Sequence, residues 1–147
     1  MYQYVDRPLS TLDDGCRFLV WGMRAWVTAI AHQRCPAQLL APAFAKWRMI
    51  GGLQPFHRAM VMFNKDALET FGFCRMECDH VSEHEAMILE LVASLRDRGA
   101  SATRDTLEML VTEDAVGDLL ETLSRLGASL AIAGLFPGVP IAARGGG

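Results

Sequence analysis

Apolar side chains return at alternating intervals of four and three along much of this chain, the spacing that lines up one face of an α-helix. Leu12, Cys16, Leu19, Met23, Trp26 and Ile30 form the first such stripe, and Phe18, Val20, Trp21 and Val27 widen it. Ser10 or Thr11 is placed to cap that helix, with Asp13 and Asp14 in its first turn, where exposed amides and the helix dipole favour negative charge. A helix this apolar is expected at the centre of a bundle. Pro36 opens a second segment in which Leu39, Leu40, Phe44, Trp47 and Ile50 share a face, with Pro42 as a kink or restart. Gly51-Gly52 then reads as a break and Pro55 as the first residue of a third helix. That helix carries Phe56, Met60, Phe63 and Ala67, is extended by Leu68 and Phe71, and ends near Gly72.

Residues 73–81 form a cysteine-bearing connection. Ser82 and Glu85 have the spacing of a capping box, in which hydroxyl and carboxylate each satisfy an otherwise unpaired backbone amide. The helix they open buries Ile88, Leu91, Val92 and Leu95 and stops at Gly99, a residue suited to a left-handed cap. A short helix over 103–111 follows, then one over 113–126 with Val116, Leu119, Leu120 and Leu123 inward and Gly127 as its cap. Residues 128–143 add one more turn or short helix before packing irregularly. No stretch alternates with period two, so the expected fold is all-α: a compact bundle or orthogonal array of five to six helices. One domain spans 1–147, with an irregular arm over 1–9 and a frayed tail over 144–147.

Composition sharpens this picture. Half of the 147 residues are hydrophobic (51%) and only 21% are charged, a balance that supports a packed core and excludes disorder. Residues 1–75 carry nine Lys/Arg against five Asp/Glu, whereas 76–126 carry four against twelve, so the halves are expected to attract one another within the fold. Because the basic residues of the first half are spread thinly and the helices after Ser82 are acidic, nucleic acid is not an expected partner. Phe18–Ala31 is interrupted by Arg24 and is too short to span a bilayer, and the uncharged run 126–143 contains Gly134, Pro137, Gly138 and Pro140; neither reads as a transmembrane segment. The first residues lack the pattern of a secretory signal, so the four cysteines are expected as thiols or ligands in the reducing cytoplasm.

The most pointed chemistry lies in that connection. Cys74, Cys78, His80 and His84 read Cys-x3-Cys-x-His-x3-His, and thiolates with imidazoles are the donors Zn²⁺ prefers. If the helix extended back, His80 and His84 would sit one turn apart. Familiar zinc motifs separate their ligand pairs by a dozen or so residues, and this one does not. Cys16, Cys35, Cys74 and Cys78 are enough for an iron–sulfur cluster, though their spacing matches neither common ferredoxin pattern and Cys16 belongs to a buried stripe. Glu77 and His80 have a di-iron spacing, but only one such motif is present.

Other residues point to interactions. Trp47, Met60, Met62 and Phe63 could line a groove for a partner helix or an apolar ligand, or they could fill the core. A cysteine-bearing connection, a Ser-x-x-Glu cap and a leucine-rich helix have the general style of a small bacterial regulator. No catalytic constellation stands out, since the chain has no nucleophile elbow or phosphate loop. The favoured expectation is therefore a non-enzymatic cytoplasmic protein that binds and regulates or supports a macromolecule, in the first place a protein, with a homo-oligomer as one form. The alternative is a metal or redox sensor built on Cys74, Cys78, His80 and His84, with zinc ahead of an iron–sulfur cluster as its cofactor. A third reading is an enzyme or carrier with an apolar pocket between the first and third helices.

Overall fold

Residues 3–138 are described by a computed structural model. Among them six α-helices follow one another: α1 (Asp14–Ala31), α2 (Pro36–Lys46), α3 (Ile50–Asp66), α4 (Glu83–Asp97), α5 (Ala100–Leu110) and α6 (Glu113–Ala133). Extended pairing among the described residues is confined to two isolated bridges, Pro8 with His80 and Ala67 with Val111. The fold is all-α, as the periodicity predicts. No helix of the described residues is long and apolar enough to cross a membrane.

Helix α1 lies against α2, α3 and α4, while α6 packs along α3. Leu19, Met23, Phe44, Phe56, Phe63, Leu89, Leu119 and Leu123 are among the side chains that close the core. Each fully buried Leu or Phe contributes roughly 1.5–3 kcal/mol, which offsets the ordering of helices that would be marginal alone.

Several boundaries differ from the expectation, each for a local reason. Asp13, not Ser10 or Thr11, caps α1: its Oδ1 accepts from the Cys16 amide at 2.8 Å. The Thr11 hydroxyl is engaged by the Pro8 carbonyl at 2.7 Å, inside a 3-10 turn over Leu9–Thr11. Ile30, in the last turn of α1, is exposed. Helix α2 runs through Pro42 and ends before Trp47. Arg48 then adopts φ +61°, which turns the chain so that Met49 enters the core and Trp47 and Ile50 face out.

Gly51-Gly52 does not break the chain but forms the first turn of α3, and Pro55 lies inside that helix. A Cβ at Gly52 would come within 2.7 Å of Met49 Cε and 3.1 Å of Ser129 Cβ, so glycine here permits the close approach of α6. Helix α3 stops at Asp66. Leu68 donates its amide to the Leu110 carbonyl at 2.8 Å, and its side chain is left outside the core. Helix α4 is capped by Arg98, and Gly99 has positive φ (+90°) with an extended ψ of 162°, not the left-handed helical cap expected, and forms the N-cap of α5. Helix α6 passes straight through Gly127, which fits between Leu95 and Phe136, and ends at the left-handed Gly134.

Beyond Gly134 the chain crosses the start of α1. Gly138 donates its amide to Asp13 Oδ2 at 2.8 Å and accepts from the Tyr4 hydroxyl at 3.0 Å. The tail expected to fray and the last part of the apolar 126–143 run lie outside the described residues, as do the first two residues of the arm.

Candidate functional site

Between α3 and α4 the chain forms the cysteine-bearing loop, and its conformation is set from beneath by one buried ion pair. Arg24 lies in the middle of α1, 2% exposed, and meets Glu85 in the first turn of α4, which is fully buried. Its Nε donates to Glu85 Oε2 at 2.9 Å and one terminal nitrogen donates to Oε1 at 3.1 Å. The same guanidinium reaches the loop backbone, donating to the carbonyls of Cys78 and His80 at 2.7 Å each. Glu85 accepts from the amides of Cys74 at 3.2 Å and Ser82 at 2.9 Å. The Ser82 hydroxyl accepts from the Glu85 amide at 3.4 Å, completing the expected capping box.

A buried charge pair is tolerable only when its remaining donors and acceptors are occupied. Here they are occupied by the loop, and among the described residues no buried side-chain polar atom lacks a partner. The hydrogen bond to Glu85 raises the pKa of Arg24 against the opposing effect of burial, so the guanidinium stays charged.

The N-terminal arm holds the other edge of the loop. Asp6 donates to the Val81 carbonyl at 2.9 Å, Val81 to the Arg7 carbonyl at 3.0 Å and Leu9 to the Asp79 carbonyl at 2.8 Å. At the cysteine end, the Cys78 amide donates to the Arg75 carbonyl at 3.1 Å, closing a turn.

These constraints bring Cys74, Cys78 and His80 together, with their ligand atoms all within 4.8 Å of one another. Cys78 Sγ lies 3.4 Å from His80 Nδ1, close to the roughly 3.5 Å that separates sulfur and nitrogen donors on a tetrahedral zinc ion. Both cysteines are half-buried and His80 is exposed, so the group opens to solvent. Burial, with the adjacent Cys78 thiol and the Glu85 carboxylate, pushes the Cys74 thiol up to about 11, while Arg24 acts in the opposite direction.

His84 does not join the group, contrary to the four-residue pattern. Ser82 caps α4, so the helix cannot extend back to carry His80, and pairing with the arm keeps residues 79–81 extended. The ring of His84 instead stacks on Phe71 at 4.5 Å, its Nδ1 accepts from the Gly72 amide at 2.7 Å, and its Nε2 faces Glu69.

The four-thiol arrangement does not assemble either. Cys16 is fully buried beside Asp13 and Gly138, where burial raises its thiol far above the ordinary value. Cys35 is exposed at the start of α2. Glu77 is exposed and faces Arg75. Met60, Met62 and Phe63 are buried, whereas Trp47 is 44% exposed and borders a shallow groove with Phe18 and Trp21. The four do not form one surface, because α2 ends before Trp47 and α3 turns the other three inward. The α1–α3 seam is filled where the ring of Phe56 lies over Gly22 and Trp26 Nε1 donates to His57 Nδ1 at 3.0 Å.

Sequence reading did not single out Arg24 as part of the site. The available signal was a lone cation inside the apolar stretch Phe18–Ala31, which requires a buried acid to meet it. Compared with family models, with curated proteins and with solved structures, the chain matches none.

Proposed function

We propose that this chain is a non-enzymatic, zinc-binding regulatory protein in which Cys74, Cys78 and His80 supply three ligands and leave a fourth position for water or an incoming donor. The observation that carries this reading is the convergence of two sulfurs and an imidazole on a loop whose backbone is held by Arg24 and Glu85. Zinc suits the donor set, since it accepts mixed sulfur and nitrogen ligands in a tetrahedral shell. Two thiols at one place are too few for the common four-cysteine iron–sulfur clusters.

Occupancy of the site would stiffen residues 74–80 and the arm paired with them. That surface is where a protein partner, or a second copy of the chain, would sense the ion. Free thiols of this kind suit a reducing compartment such as the cytoplasm.

The test is elemental analysis and chelator competition on the reduced full chain. One zinc per chain is expected, and replacing both Cys74 and Cys78 by serine should abolish it. Cobalt in place of zinc should give a sulfur-to-metal charge-transfer band that the double variant loses. His84→Ala should bind like the parent. Sub-stoichiometric zinc in the parent, or equal binding by the double variant, would overturn the proposal.

A further inference from the structure

We infer that Cys74 and Cys78 also form a thiol–disulfide switch that expels the ion on oxidation, an inference that rests on the zinc reading above. The two sulfurs belong to one turn, closed by the Cys78 amide and the Arg75 carbonyl, and lie within 4.8 Å of each other. Residues 75–77 between them are exposed and bear no core side chain, so the turn can tighten without disturbing the helices. A disulfide requires a sulfur–sulfur distance of about 2.05 Å, so the two side chains must rotate toward each other from a separation of at most 4.8 Å. The anchors on the loop are backbone bonds from Arg24 and to Glu85, which survive such a rotation.

Metal binding and disulfide formation compete because both use the same thiolate electron pairs. With a hydroperoxide as oxidant, one thiolate attacks the outer peroxide oxygen, the O–O bond breaks, and a sulfenic acid forms while the alkoxide takes a proton from solvent. The second thiolate attacks the sulfenic sulfur and displaces hydroxide, which is protonated to water. Two electrons pass from sulfur to oxygen, one S–S bond forms, and the products are a disulfide, an alcohol and a water. Neutral disulfide sulfurs are poor donors, so the ion is left with His80 alone and departs. The remaining thiols are placed for other fates, Cys16 being fully buried and Cys35 exposed at the start of α2.

The experiment uses the zinc-loaded full chain carrying Cys35→Ser, which removes the exposed thiol most able to link two molecules. One equivalent of hydrogen peroxide should release one zinc per chain to a chromogenic chelator, peptide mapping should find the Cys74–Cys78 disulfide, and dithiothreitol should restore binding. His80→Ala should still form the disulfide when metal-free, while its zinc affinity should fall by more than the roughly 10–100-fold that loss of an outer-shell partner costs, since a direct ligand is removed. Release accompanied by sulfinic acid without that disulfide would overturn the switch and leave the zinc reading standing, as would zinc retained through complete oxidation. A reduced chain that takes up no zinc would remove both.

Discussion

Among the described residues, Arg24–Glu85 and Arg58–Asp118 are ion pairs that join different helices, and they share little beyond their charges. Arg24 and Glu85 meet between α1 and α4 with almost no exposure, and the Cys78 and His80 carbonyls and the Cys74 amide of the cysteine loop turn toward them. Arg58 and Asp118 meet between α3 and α6 at the rim, about half exposed, and among the described residues neither side chain makes another hydrogen bond. The α3–α6 seam is closed instead by apolar packing and by the close approach at Gly52. An ion pair therefore organises structure where water is excluded and its spare bonding capacity must be met by backbone; at the rim, water meets that capacity equally well.

Breaking the buried pair tests this most severely. Arg24→Ala leaves Glu85 uncompensated and takes the guanidinium donors from the Cys78 and His80 carbonyls, and is expected to cost about 3–5 kcal/mol in urea unfolding. Replacing both charges, Arg24→Met with Glu85→Leu, should recover most of that stability while still weakening zinc binding, because the loop loses its backbone anchors. If the double variant bound zinc like the parent, the pair would serve the fold alone.

A smaller effect is expected from pH. In the metal-free protein the Cys74 thiol is pushed up from the ordinary 9.0 to about 11, so it is protonated at neutral pH and must lose that proton to bind a metal. Apparent zinc affinity should accordingly rise with pH, by about tenfold per unit from this thiol, as measured by chelator competition between about pH 6.5 and 8.5. The raised value also favours the metal-free fold below pH 9.0. That contribution is lost as pH climbs through about 11. The exposed pair should give the smallest effect: Arg58→Ala is expected to change stability by less than about 1 kcal/mol, and a loss comparable to that of Arg24→Ala would erase the distinction between the two regions.

What was readable in advance depended on how local each cause is. Helix α4 was legible because Ser82 and Glu85 carry its start signal within four residues, and the structure contains that box. Gly127 and Gly51-Gly52 misled for the opposite reason. In isolation glycine looks like a terminator, yet these glycines serve contacts with Leu95, Phe136 and Ser129, which lie on other parts of the chain. The loop showed the same division. Two thiols and an imidazole were visible from their types and spacing, but the departure of His84 to Phe71 and Gly72 was not.

The amino-acid order alone determined that this chain is helical and where its soft, metal-seeking donors lie, since side-chain period and chemical type act over a turn or two of backbone. Tertiary structure alone decided which of those donors meet. Arg24 and Glu85 stand 61 positions apart, and only the docking of α1 against α4 excludes the water that would otherwise satisfy both. Shielded from solvent, their spare hydrogen-bonding capacity falls to the loop, and together with the arm's pairing to residues 79–81 this gives the loop its shape.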